Sequence, residues 1–274
     1  MSTQSNDADS LVESSVDDGV LVLTLNSPSN GNALDVAMTQ ALSDALEQIN
    51  DRRDVHCVLL RSSSPRHFCT GGNVKDMQRG SDLMSGGVED VRDRLHRSLH
   101  RITRALSGLD VPSVCVVNGA AVGAGCDLAL MCDIRMASAN AVFAESFLRL
   151  GLVSGIGGSW FLARIVGYAK ALELTLTSEF IDAEAALNLG IVSKVVPADA
   201  LDIEALSLAK RIAQNPPTAL RMAKRLVREA ADASLATTLE MAASMQAILL
   251  CGREHKEAVD RFLQQQAAKK RTHM

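Results

Sequence analysis

The chain has 274 residues, of which 47% are hydrophobic, 22% charged and 3% aromatic, with a formal net charge of −4. That apolar content supports a large buried core without disulfide or metal staples, while the weak negative charge and scarce aromatics leave no electrostatic pull on nucleic acid and few stacking platforms for its bases. No 18-residue apolar run occurs, and the polar, acidic stretch from Met1 to Asp18 lacks a basic segment followed by an apolar one. The expectation is therefore a cytoplasmic protein with no membrane partner, opening on a loose tail over residues 1–18.

Alternation from Val20 to Leu25 predicts a strand, ended by the turn sequence Ser27-Pro28-Ser29-Asn30-Gly31. Met38, Leu42, Ala45, Leu46 and Ile49 then fall on one helix face, and Val55 to Arg61 reads as the next strand. A glycine-containing element, Phe68 to Met77, follows, and the Gly, Ser and Met content from Gln78 to Glu89 predicts a mobile loop. Leu95, Leu99, Ile102 and Leu106 mark one further amphipathic helix, after which Pro112 introduces a strand reaching Val117. Beyond Val196 the pattern becomes helical, over about 202–214, 217–231 and 234–266. The predicted organisation is thus a core over residues 19–196 and a helical region over 197–274. Apolar positions such as Leu235, Leu239 and Ala242 suit either subunit contact or packing within the chain. The six cysteines form no Cys-x-x-Cys pair and sit mostly in apolar surroundings, so they are expected as buried free thiols, and no cluster has metal-ligand spacing.

The most informative segment is Val116-Val117-Asn118-Gly119-Ala120-Ala121-Val122-Gly123-Ala124-Gly125-Cys126-Asp127-Leu128. A buried strand there enters a glycine-rich turn that opens a helix with an early carboxylate. A helix start offers unpaired N–H groups and the positive end of the dipole, so the junction suits chemistry on a developing negative charge. The spacing is Gly-x-x-x-Gly-x-Gly rather than the Gly-x-Gly-x-x-Gly of a dinucleotide site, and the only tyrosine, Tyr168, has Leu172 four places on where a dehydrogenase of the short-chain type would carry Lys.

Taken with Asn32-Ala33-Leu34, Phe68-Cys69-Thr70-Gly71-Gly72-Asn73, Cys132-Asp133-Ile134, Gly151-Leu152-Val153, Gly157-Gly158 and Leu187-Asn188-Leu189-Gly190-Ile191-Val192, this segment resembles the enoyl-CoA hydratase/isomerase (crotonase) family from about Val20 to Phe262. The resemblance implies an α/β fold in which a ββα spiral core carries a C-terminal α-helical oligomerisation region, assembled as a homotrimer or hexamer. It implies an acyl-CoA thioester substrate, with coenzyme A part of that substrate and no separate cofactor. Its thioester oxygen would accept backbone N–H bonds from Gly72 and Ala124, within a substrate-binding lining that includes Cys69, Thr70, Gly71, Phe147 and Gly155.

Carboxylates decide which reaction follows. Residue-by-residue matching puts the first of the two family acids at Asp127 and the second at Phe147, which cannot transfer a proton. Glu145 is the best substitute acid, because on a strand it would share a face with Phe147, whereas on a helix it would not. No acid follows in Ser154-Gly155-Ile156, where isomerases of the family can carry one. The expectation is a hydratase-like enzyme, with a double-bond isomerase or a non-catalytic acyl-CoA-binding oligomer as alternatives. Contacts to the coenzyme phosphates are expected from Arg66, Lys75 or Lys269-Lys270-Arg271. The stripe Arg94, Arg97, Arg101 and Arg104 is expected as a solvated face, and Trp160 as a core residue.

Overall fold

The computed structural model describes residues 10–80 and 85–272. Residues 1–9 of the expected tail and 81–84 of the expected mobile loop lie outside the described residues. The elements in chain order are β1 (Val12–Asp17), β2 (Val20–Leu25), α1 (Val36–Glu47), β3 (Cys57–Ser62), β4 (His67–Cys69), α2 (Val74–Arg79), α3 (Val88–Arg97), α4 (Leu99–Ser107), β5 (Ser113–Val117), β6 (Ala120–Val122) and α5 (Ala124–Leu130). They continue as β7 (Ile134–Ser138), β8 (Val142–Ala144), α6 (Gly158–Val166), α7 (Tyr168–Thr177), β9 (Ile181–Asp182), α8 (Ala183–Asn188), β10 (Lys194–Val196), α9 (Leu201–Ala213), α10 (Pro217–Ala230), α11 (Leu235–Leu250) and α12 (Arg253–Thr272).

The larger sheet has the order β1-β2-β3-β5-β7-β10 and the smaller β4-β6-β8-β9. The pairs β3–β4, β5–β6 and β7–β8 each put one strand in the larger sheet and the next in the smaller before the chain turns to a helix, which generates a ββα spiral. Apart from β1 against β2 and β8 against β9, the strands pair in parallel. Parallel strands are buried on both faces, and these read accordingly as continuous apolar runs. Leu21, Leu23, Leu25, Val58, Leu60, Cys115 and Val117 face the main core, while Val20, Val22, Cys57, Leu59, Val114 and Val116 face a second one. The second core is closed by Leu201, Ala205, Ala209 and Ala213 of α9. The sheet therefore takes its second face from beyond residue 196, and α9 belongs with the core rather than with a separate helical region.

Residues 12–17, expected in the loose tail, instead pair with β2, from Val12 opposite Leu25 to Asp17 opposite Val20. Asp18 and Gly19 both have positive φ (48° and 79°), the geometry of a two-residue hairpin turn, for which Asp-Gly is a favoured sequence. The single helix expected through Leu95 to Leu106 breaks at Ser98 (φ −119°, ψ −88°) into α3 and α4. The long final helix expected over 234–266 breaks at Cys251 and Gly252 into α11 and α12, bent by 72°. Within one chain α10 and α11 contain no buried residue, and Leu235, Leu239, Ile248, Phe262 and Leu263 stand exposed. No single helix among the described residues is long and apolar enough to cross a membrane.

Candidate active site

Two loops at the ends of smaller-sheet strands meet here, and the first is fixed from the Asn32-Ala33-Leu34 turn. Asn32 is fully buried; its Oδ1 accepts from Ser27 N (2.7 Å) and its Nδ2 donates to Ser62 Oγ (2.7 Å) and the Phe68 carbonyl (3.0 Å). From the same turn Leu34 N donates to the Gly71 carbonyl (2.7 Å), and Thr70 N returns a bond to the Gly31 carbonyl (3.0 Å). The second loop is tied down by Gly123 N donating to the Ala144 carbonyl (2.8 Å), and Gly123 (φ 54°) then caps α5. The loops touch so closely that a Cβ on Gly125 would collide with the Cys69 carbonyl, and one on Gly71 would lie 3.1 Å from Ala124 N. The amides of Gly72 and Ala124 are thereby neighbours. Among the described residues Gly72 N–H has no acceptor, and Ala124 N–H is first in its helix, where no preceding turn supplies a carbonyl.

One turn into α5, Asp127 is completely buried. Ser154 Oγ donates to its Oδ2 (2.6 Å) and in turn accepts from Gly158 N (2.9 Å), at the start of α6. A Cβ at Gly158 would fall on the Asp127 carboxylate, so glycine there is what lets the acid lie against the helix end. Glu145, 5% exposed, reaches the same place from the residue after β8. Burial raises the pKa of Asp127, opposed by hydrogen bonds from Glu145, Ser154 and the Gly158 amide. Burial, the adjacent Asp127 charge and the hydrogen bond between the two carboxyls raise that of Glu145 further. Like charges so close in a dry site disfavour ionisation of both, and the larger upward push on Glu145 favours the proton there and the charge on Asp127; one oxygen of each carboxyl, Asp127 Oδ1 and Glu145 Oε1, is buried without another partner among the described residues.

The enoyl-CoA hydratase/isomerase family model matches residues 15–270. The chain belongs to that family. It is 34% identical over 250 residues to 1,2-epoxyphenylacetyl-CoA isomerase of Escherichia coli, covering 91% of this chain and 94% of the relative. It is 33% identical over 246 residues to 2,3-dehydroadipyl-CoA hydratase of the same organism, covering 89% and 92%. A solved enoyl-CoA hydratase from Mycobacterium smegmatis superposes with a TM-score of 0.85 at 31% identity, covering 93% and 96%. The fold is the crotonase fold, with a C-terminal helical region.

Set in this family's frame, the expected site residues divide. Gly71, Gly72, Ala124, Asp127 and Glu145 come together. Phe147 is half-buried with its ring about 4 Å from where a Cβ of Gly123 would stand, so it walls the second loop. Glu145 shares that neighbourhood through a turn, because β8 ends at Ala144 and a 3-10 segment begins at Ser146. Cys69 does not line a site: it is fully buried, its thiol donates to the Asn32 carbonyl (3.0 Å), and burial pushes it up to about 12. Thr70 packs on Gly31 and bonds the Asn30 and Gly31 carbonyls. Gly155 lies one residue beyond Ser154, and Ser154 itself was invisible as a site residue because a lone Ser between two loops carries no sequence signal.

Residues outside the site also depart from expectation. The arginine stripe is not uniformly solvated: Arg101 bonds Asp44, Glu47 and Gln40, and Arg104 bonds the His96 carbonyl. Trp160 is 49% exposed under the Arg164 guanidinium rather than in the core. Arg66 and Lys75 are exposed. Among the described residues no three metal-ligating side chains converge.

Proposed function

We propose that the protein is a hydratase-like enzyme acting on an enoyl-CoA thioester. The observation that carries this reading is the buried Asp127–Glu145 pair one turn from the Ala124 amide, which supplies two acids although Phe147 occupies the second family position. The Gly72 and Ala124 N–H groups would bond the thioester oxygen as it gains enolate charge, each worth about 3–4 kcal/mol by analogy with measured oxyanion donors. Ionised Asp127 takes a proton from water as its oxygen adds to the β carbon, and protonated Glu145 delivers a proton to the α carbon. Transfer of Asp127's new proton to the adjacent Glu145 carboxylate then restores the starting state.

A second reading, double-bond isomerisation, is favoured by the Phe147 ring against Gly123, which puts an apolar group where added water would need room. The same carboxyl pair would then move a proton between the α and γ carbons. The relatives named 2,3-dehydroadipyl-CoA hydratase and 1,2-epoxyphenylacetyl-CoA isomerase are similar to this chain to nearly the same degree, 33% and 34%, so overall similarity does not choose between water addition and isomerisation. Supplying the purified protein with a short 2-enoyl-CoA and its 3-enoyl isomer, and following mass and absorbance, separates the readings. Gain of water supports the hydratase, interconversion without it the isomerase, and tight binding without turnover an acyl-CoA-binding oligomer.

Coenzyme A enters as part of the substrate, with no further cofactor invoked. Its phosphates would meet exposed Arg66 or Lys75, or the chain at 269–271. The uncovered apolar positions of α10 to α12 support contact between subunits, for which a homotrimer or its doubled hexamer is the proposed assembly, and the cytoplasm is the proposed location. Light scattering tests the assembly, and a stable monomer would contradict it.

A further inference from the structure

The segment from Ser154 to Gly157 links the Asp127 carboxylate to one face of α4. Ser154 Oγ donates to Asp127 Oδ2 (2.6 Å), His100 Nε2 meets the Gly155 carbonyl (2.8 Å), and Thr103 Oγ1 donates to the Ile156 carbonyl (2.9 Å). His100 and Thr103 are three residues apart and so lie on one helix face, while the Ile156 side chain is 2% exposed in the main core. Because a carbonyl only accepts, His100 carries its proton on Nε2. Its Nδ1 then faces His96 Nδ1 at 3.1 Å and can accept from it. These bonds leave the Ser154 hydroxyl a single useful arrangement: it accepts from Gly158 N and gives its own proton to Asp127.

We propose that His100, seconded by Thr103, is a positioning residue for the reaction: it fixes the Gly155 carbonyl and thereby aims the Ser154 hydroxyl at Asp127, holding that carboxylate ionised and in place as the base. The proposal rests on Asp127 being the base. The Gly158 amide and the buried Ile156 side chain hold the same segment from the α6 side and from the core, so His100 and Thr103 act as its tie to α4. Asp127 faces Glu145 from the end of β8, Ser154, and the Gly158 amide, and no cationic side chain bonds it among the described residues. His100 on α4 faces His96 near the end of α3, Arg104 bonds the His96 carbonyl, and Arg92 lines the same cavity of about 560 Å3 with both histidines, Leu95 and Gly155.

The sign follows from the hydrogen bond. A hydroxyl that donates to a carboxylate favours its ionised form, so loosening Ser154 raises the proton affinity of Asp127. His100→Ala should lower kcat by roughly tenfold, short of the hundredfold that a 1 Å misplacement can cost, and shift the acidic limb of the kcat profile to higher pH with KM nearly unchanged. His100→Gln, whose amide can still donate to the Gly155 carbonyl, should restore both. Thr103→Val should move the limb in the same direction, and provides the reading if His100→Ala does not fold. A fall in kcat with the acidic limb unmoved, or His100→Gln no better than His100→Ala, overturns the proposal, as does a change confined to KM. Asp127→Asn measured alongside separates the layers: full turnover there removes the base assignment itself, whereas lost turnover with an unmoved His100→Ala limb removes the positioning role alone.

Discussion

Replacing Glu145 with Gln separates what the carboxyl pair does for the reaction from what it costs the fold. In the native protein Glu145 is 5% exposed beside Asp127 and keeps its proton far above its ordinary 4.5, to about 9. The unfolded chain releases that proton above the ordinary value. A raised native pKa contributes stability that is complete below the unfolded pKa and is lost as pH rises toward the native one. By pH 7 the gap between 7 and the ordinary value corresponds to up to about 3 kcal/mol, at about 1.4 kcal/mol per pH unit. Gln cannot ionise, and its amide can still donate to Asp127. Glu145→Gln should therefore match wild type in stability near pH 4 and exceed it by up to about 3 kcal/mol at pH 7, while kcat falls by about 10²–10⁴-fold. Urea denaturation at the two pH values, at one protein concentration because assembly contributes to stability, measures the first effect, and steady-state kinetics the second. A stability difference between variant and wild type that is the same at both pH values would show that Glu145 titrates in the native state as it does in the unfolded chain, and refute the shared-proton account.

The wild-type kcat profile should be bell-shaped, falling on the acid side as Asp127, raised above the ordinary carboxylate range, takes a proton, and on the alkaline side as Glu145 loses its own; a flat profile between these limbs' expected positions and strong acid would remove Asp127 as base. Gly125→Ala puts a Cβ into the Cys69 carbonyl, so it should destabilise by about 1–3 kcal/mol or more and lower turnover by parting the loops, read from thermal unfolding and kcat together. Five cysteines are buried and Cys251 is exposed, so a thiol reagent should titrate no more than one thiol per native chain and all six after denaturation.

Much of this architecture was legible because local pattern and tertiary role agree. The runs in β2, β3 and β5 are apolar on both faces, and helix α1 carries Met38, Leu42 and Leu46 at helical spacing behind an Asp35 cap whose Oδ1 accepts from Met38 N (2.8 Å). The strand β1 escaped because only Val12 of its six residues is buried; it is held by its ladder to β2, and the Asp18-Gly19 turn was its one sequence signal. The break at Ser98 escaped because Leu95, Leu99, Ile102 and Leu106 keep helical spacing across it. In the site, the glycine loops, Asp127 and Glu145 could be found from sequence, but the contact between the two carboxyls depends on how a turn aims Glu145, which strand or helix periodicity alone could not give. Cys69 was drawn into the site by its neighbours in the glycine loop, whereas its side chain points into the core.

Wild type and Asp127→Asn should be compared for turnover of a short 2-enoyl-CoA and its 3-enoyl isomer, with binding of the thioester measured on both. The account predicts that wild type converts at least one of them, and that Asp127→Asn binds comparably but loses most turnover, by about 10²-fold or more. Turnover by Asp127→Asn equal to wild type would contradict it.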